Sequence, residues 1–350
     1  MVEHVTLRNY RSYASLDLAL RPGLVLVVGE NGAGKTNLLE SLHLATQGFS
    51  PRTRADAELV RFGETAARVS LRNLVRDEVR LTVDVTLKLG EAKVAEVNGA
   101  RLLSPESLRR EFHTLVFTPD RLAIVKGGPA ARRAYFDRAF SRLLPARATA
   151  AQDYAAALAQ RNASLRRVQL GISSRDALAP WTERVADLGR ALVDARREVL
   201  RLLTPGFAER AGELGLADAR LDYDAEAPTA EALEARLDRD VDRGSTGLGP
   251  HLDDVVIASG DRNLRQFGSQ GEQRLAVLSL LLAEAGLLPS PPLVLLDDVL
   301  SELDPGRRRI LAEHVAGMGQ TVITATQASA LPLEPAQIVD VVPGDAVARA

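Results

Sequence analysis

The 350-residue chain predicts an α/β fold in discontinuous form: two β-rich ends make one body and a helical block is inserted between them. Three observations carry this expectation. A short apolar run, Leu24 to Val28, leads into a glycine-rich stretch and then a helical pattern. The middle of the chain is rich in Ala, Leu, Arg and Glu at helical spacing. Short buried runs ("DVVIA", "LVLLDD", "TVITAT" and "QIVDVV") return near the C-terminus. These changes of character set the expected division at residues 1–103 for the first lobe, 104–243 for the helical insertion and 244–350 for the second lobe.

Taken in order, "HVTLRNY" alternates like a half-buried strand, and "GLVLVVG" reads as a strand buried on both faces. "KTNLLESLHLATQG" reads as a helix closed by Gly48. The stretch "ARVSLRNLVRDEVRLTVDVTLKLGEAKVAEVNG" alternates at period two, with a turn at Asn98-Gly99, so it reads as antiparallel strands. "SPESLRREF" opens on a helix-capping pattern at Ser104, and three longer helical segments follow it. Pro145, Gly171, Pro180 and Pro205 punctuate this block, so a long coiled-coil arm is not expected.

Composition bounds the class. Apolar residues make up 46% and charged residues 26%, the balance of a soluble globular protein. Cysteine is absent, which excludes disulfides and cysteine-ligated zinc. The N-terminus lacks a basic region followed by an apolar core, and the best apolar run, Leu275 to Leu288, is interrupted by Glu284. A cytoplasmic protein with no membrane association is therefore expected. The net charge of −2 argues neither for nor against nucleic acid. Only four of the 44 basic residues are lysines, and one of these, Lys35, falls in the glycine-rich stretch.

That stretch is "GENGAGKT": Gly29, Glu30, Asn31, Gly32, Ala33, Gly34, Lys35 and Thr36. It fits the phosphate-loop pattern and lies between an expected strand and an expected helix, as the pattern requires. Glycines let backbone N–H groups approach phosphates, Lys35 would reach the β- and γ-phosphates of a nucleotide, and the Thr36 hydroxyl would hold Mg²⁺. "PPLVLLDDVLSELD" supplies a second half: an apolar strand tipped by Asp297, placed to bind Mg²⁺, and Asp298, placed to polarise an attacking water.

The order of a phosphate loop, a distant "GSQGEQR" and an acid-tipped strand followed by "SELD" resembles the ABC-type ATPase heads. Within them the chain resembles the RecF family of the SMC-like DNA-repair branch. "LRNYRSY", "VFTPDRLAIVKGGPAARRAYFD", "LAQRNASL" and "GPHLDD" carry that resemblance from end to end. It implies an ABC-type ATPase head with an inserted helical domain, and a nucleotide shared between two subunits. The signature facing the partner's phosphate loop would be Ser269, Gln270, Gly271, Glu272 and Gln273, with Ser301 and Asp304 in the loop joining the two sites. Arg11, Ser12 and Tyr13 would lie near base and ribose, although an ordinary strand explains that stretch almost as well.

The resemblance further implies ATP and Mg²⁺ as cofactors, an ATP-dependent homodimer, and DNA, single- or double-stranded, gapped or at junctions, as partner. It also implies RecR and the RecO/RecA loading machinery as partners. The task would be recombinational repair and replication restart, with slow, DNA-stimulated hydrolysis. Candidate phosphate contacts are Arg52, Arg54, Arg72, Arg76, Arg132 and Arg133. There are departures from the family patterns. The catalytic carboxylate is Asp298 rather than Glu, no His follows "TVITAT", and Leu252 stands in "GPHLDD" where Arg is expected. His251 reads equally as a packed or a functional histidine. The ATPase subunit of an ABC transporter is the alternative reading, and a small-molecule kinase is a third.

Overall fold

The computed structural model of the chain describes residues 1–76 and 79–349, without the side chains of residues 74–76 and 110. In chain order the strands are β1 (His4–Tyr10), β2 (Tyr13–Ala19), β3 (Leu24–Val28), β4 (Ala66–Arg76), β5 (Val79–Lys88), β6 (Val94–Val97), β7 (Ala100–Arg101) and β8 (Thr114–Phe117). They continue with β9 (Ala219–Asp222), β10 (Val256–Ser259), β11 (Arg262–Asn263), β12 (Leu293–Leu296), β13 (Gln320–Ala325), β14 (Gln337–Val342) and β15 (Asp345–Ala348).

Packing divides the chain into two units: Met1–Leu122 with Glu213–Gly215 and Val277–Ala350, and Ala123–Gly212 with Leu216–Ala276. The first contains two sheets. One is antiparallel, in the order β2-β1-β4-β5-β6-β7, and its strands alternate between buried and exposed residues because one face meets solvent. The other runs β15-β14-β3-β13-β12-β8 and is parallel except for β15. Its inner strands β3, β12 and β13 are buried at every position, as expected of strands covered on both faces.

The helix Lys35–Gln47 packs against strands of both sheets. Leu38, Leu39 and Leu42 join one core with Leu7, Val69 and Val85 of the first sheet and Val25, Val27 and Val322 of the second. Truncating any of these leucines to Ala would cost about 2–5 kcal/mol. The two ends of the chain are sewn together by glutamines. Gln320 Nε2 donates to the carbonyls of Val2 (2.8 Å) and Arg21 (3.0 Å), and Val2 N donates back to Gln320 Oε1 (2.6 Å).

The Asn98-Gly99 turn joins β6 to β7 as expected, with φ of 49° and 79°, the left-handed pair that a tight hairpin requires. Other expectations change. Strand β8 lies inside the block read as helical and adds to the parallel sheet beside β12, so the first unit extends to Leu122 rather than ending at 103. Residues 216–276 belong to the second unit, which moves the other boundary from 243. The pattern does not predict β2, β9, β11 and β15, the last three of which are only two to four residues long. Ser104 makes no side-chain cap, and "SPESLRREF" gives only a 3-10 turn and one helical turn.

The second unit holds the helices Pro129–Leu143 and Ala150–Gln169, the helix Ala179–Glu213 as far as Gly212, and the sheet β11-β10-β9. Pro205 does not break the third helix, which runs 35 residues through it. Buried arginines pin these elements. Arg161, with no exposed surface, donates to Asp240 (2.9 Å) and Thr246 (2.7 Å). Arg196 grips Asp137 with two bonds, at 2.7 and 3.0 Å, and the Pro250 carbonyl with a third at 2.7 Å. His251 is held at both nitrogens, by Tyr154 Oη (2.8 Å) and the Thr246 carbonyl (3.0 Å), and burial lowers its pKa.

Candidate nucleotide site

Strand β3 delivers the glycine-rich loop, and the helix Lys35–Gln47 begins where it ends. Gly34 sits at φ 116°, where a side chain would be strained, and an added Cβ would lie 3.0 Å from Tyr13 Oη. Lys35 Nζ donates to the carbonyls of Gly29 (2.7 Å) and Glu30 (2.8 Å), so the ammonium is folded over the loop. Burial lowers its pKa, while Asp298 and Asp297 pull in the opposite direction.

Asp297 reaches this loop from the end of β12. It is 6% exposed. Thr36 Oγ1 donates to its carboxylate, 3.0 and 3.1 Å from the two oxygens. Thr324 Oγ1, at the end of the neighbouring strand β13, donates to Asp297 Oδ1 at 2.8 Å. Burial raises the Asp297 pKa, and the hydrogen bonds from Thr324 and Thr36 oppose it. The Thr324 oxygen also accepts from Asp298 N at 2.8 Å. Thr324 therefore orients both acids, a role the sequence reading did not assign. Its only local signal is that it is one of two threonines buried in β13.

Asp298 is exposed, at φ 48°, and its carbonyl accepts from Ser301 Oγ (3.1 Å). An exposed carboxylate beside a buried one, with a lysine within electrostatic reach of both, is chemically suited to a water near a phosphate. The hydroxyl of Thr36 and the carboxylate of Asp297 are both hard oxygen donors, which suits Mg²⁺. Among the described residues there is no cluster of three or more His, Asp or Glu that would hold a metal through protein ligands alone.

The signature residues open the helix Gln270–Leu287. Ser269, Gln270 and Gly271 are exposed, Glu272 is partly buried and Gln273 is buried. Ser269 N donates to Glu272 Oε2 (2.8 Å) and Glu272 N donates to Ser269 Oγ (3.2 Å), a reciprocal capping box. Gln273 spends its amide on the Leu264 carbonyl (2.9 Å), which withdraws it from any external contact. Asp304 caps the helix Pro305–Ala316 by accepting from Arg307 N (3.0 Å).

Several expected contacts are committed inside the fold instead. Tyr13 is fully buried and its hydroxyl donates to the Gly34 carbonyl (3.1 Å), so it has no face for a base. Arg11 makes two 2.9 Å bonds to Glu40, a residue with no exposed surface. Of that trio only Ser12 is exposed, with Asn37 Nδ2 donating to it at 3.0 Å. Arg132 is 2% exposed and doubly bonded to Asp254 (2.6 and 2.8 Å), which removes it from the candidate DNA contacts. Arg133 donates to the Asp253 carbonyl (2.7 Å). Arg52, Arg54 and Arg72 are exposed, Arg52 also donating to Asn37 Oδ1 (3.2 Å). The Arg76 side chain lies outside the described residues.

A family model described as the RecF/RecN/SMC N terminal domain matches residues 1–342. A DNA replication and repair protein RecF from Heliobacterium modesticaldum is 35% identical over 343 residues, covering 93% of this chain and 92% of the relative. The chain belongs to the RecF family. A RecF from Anaeromyxobacter dehalogenans is 38% identical, covering 91% of this chain and 90% of the relative. A solved structure titled "Structure of the recombination mediator protein RecF-ATP in RecFOR pathway" is 28% identical with a TM-score of 0.89, covering 100% of this chain and 97% of that one. An Smc head domain from Pyrococcus furiosus, 16% identical with a TM-score of 0.63, shares the fold. The fold is thus the ABC-type ATPase head, and RecF membership replaces the transporter alternative. Among the described residues no helix is long and apolar enough to cross a membrane.

Proposed function

We propose that this RecF-family chain binds ATP with Mg²⁺ and that two copies close on DNA as a clamp. The observation that carries the nucleotide reading is the convergence of Lys35, Thr36, Asp297, Asp298 and Thr324 from three segments far apart in sequence. Lys35 would exchange its two loop carbonyls for β- and γ-phosphate oxygens. Thr36 and Asp297 would hold Mg²⁺, which neutralises phosphate charge when bound. Asp298 would orient and deprotonate the attacking water. Its short side chain and left-handed backbone leave little freedom to reach, which fits slow turnover.

The signature supports a site completed by a second copy. Ser269 accepts one bond in its capping box, and its own hydroxyl proton is available to a phosphate oxygen. At Gly271 an added Cβ would meet nothing nearer than Ser269 Oγ at 3.9 Å, so the glycine is not required by packing within the chain. A glycine with open space at a helix N-terminus suits close approach of a phosphate from outside. The solved RecF-ATP relative supports the ligand. Exposed Arg52, Arg54 and Arg72 would contact DNA phosphates, and the family's RecFOR pathway supports gapped DNA, RecR and the RecO/RecA loading machinery as partners.

The test is light scattering with and without duplex DNA. ATP, but not ADP, is expected to double the mass. Ser269→Arg should bind nucleotide and stay monomeric. Persistence of ATP-driven dimers in that variant would refute the shared site.

A further inference from the structure

The capping box at Ser269 contains a carboxylate next to the place where a triphosphate would dock. Glu272 Oε2 accepts from Ser269 N, and its other oxygen, Oε1, accepts from Arg262 Nη2 at 2.8 Å. Arg262 lies on β11, immediately before the short helix Leu264–Phe267 that leads into the signature. We propose that Arg262 is a positioning residue of the signature half-site: it neutralises Glu272 so that Ser269 is held by a carboxylate without repelling the phosphates of ATP. This inference rests on the shared-site reading above.

Two observations make Arg262 more than a surface ion-pair partner. The pair is built onto the signature itself, since one carboxylate bonds both Arg262 and the backbone of Ser269. The hydrogen bond from Ser269 and the pairing with Arg262 both lower the Glu272 pKa, so the group is anionic at neutral pH. An exposed ion pair of this kind adds little to stability in the free chain. A like charge brought against a triphosphate in a closed interface is far more costly. Arg262 would therefore be nearly silent in the monomer and matter when two copies close.

A mutant cycle with Mg²⁺ and ATP tests this. Glu272→Gln keeps a side-chain oxygen for Ser269 N and carries no charge. Arg262→Ala should bind ATP and melt like the parent, yet need about tenfold more protein to dimerise. Whatever midpoint Glu272→Gln itself shows, adding Arg262→Ala to it should change that midpoint by less than about twofold. Arg262→Lys should restore most of the loss. If Arg262→Ala dimerises like the parent, or is equally harmful in the Glu272→Gln background, the inference fails and the shared site stands. If the parent itself does not dimerise with ATP, the shared-site reading fails and this inference with it.

Discussion

Thr324→Val isolates the one hydroxyl that ties both acids of the site together. The change is nearly isosteric and leaves the packing of β13 in place. It removes a donor 2.8 Å from Asp297 Oδ1 and an acceptor 2.8 Å from Asp298 N. A hydrogen bond to a charged group is worth about 1.5–3 kcal/mol, and the freed Asp298 N–H adds a smaller loss. If roughly 1.4 kcal/mol of that reaches the bound complex, affinity for ATP with Mg²⁺ falls about tenfold. Affinity measured with EDTA should change less than about twofold, because Lys35 and the loop amides are untouched.

The pH dependence gives a second handle on the same residue. Burial holds the Asp297 pKa above its ordinary value, and Thr324 is the first of the groups pulling it back. Metal binding requires the carboxylate, so it strengthens as pH rises through that pKa and weakens as pH falls through it. Without the threonine donor the pKa rises further, and the acid limb of Mg²⁺-dependent binding should move to higher pH. Isothermal titration between pH 5 and 8 with and without Mg²⁺ reads both effects. Equal loss of affinity with and without Mg²⁺, or an unmoved acid limb, would refute the assignment of Thr324 to the acids.

Three further outcomes are expected. Asp298→Asn should retain ATP binding and accumulate the ATP dimer, with single-turnover hydrolysis at least ~100-fold slower; rapid hydrolysis would reject Asp298 as the base. Arg132→Ala should lose about 3 kcal/mol in urea unfolding because Asp254 is left unpaired, whereas Arg54→Ala should change stability by less than about 0.5 kcal/mol and lower the salt dependence of DNA binding. His251 is neutral in the fold with its pKa lowered, so the stability it contributes is present above about pH 6.5 and is lost as the solution is acidified through its folded pKa. His251→Gln should flatten that part of the pH–stability curve.

Local chemistry was legible in the sequence, and long-range pairing was not. The phosphate loop, its helix and the acid-tipped strand each declare themselves within about a dozen residues, because close phosphate approach requires glycines and a buried strand requires an unbroken apolar run. The Asn98-Gly99 turn is readable for the same reason. Arg132 shows the limit. In sequence it is one arginine among 40, adjacent to Arg133 at the start of a helix, and resembles a phosphate contact. Its partner Asp254 lies 122 positions away, and only the fold turns it from a surface charge into a buried clamp. Arg11 and Glu40 repeat the pattern.

The same distinction explains what became of the signature. "SQGE" is a local pattern on two counts, since Ser and Glu three apart form a capping box and Ser with Gly suits a phosphate. The sequence is compatible with both, and the geometry contains the first. The two are compatible, because a cap uses the serine oxygen as acceptor while a phosphate uses its proton. On the shared-site proposal their combination has an electrostatic cost, since the cap places a carboxylate where the phosphates would dock. Arg262, seven residues before Ser269 and bonded to Glu272, is the group positioned to cancel that charge.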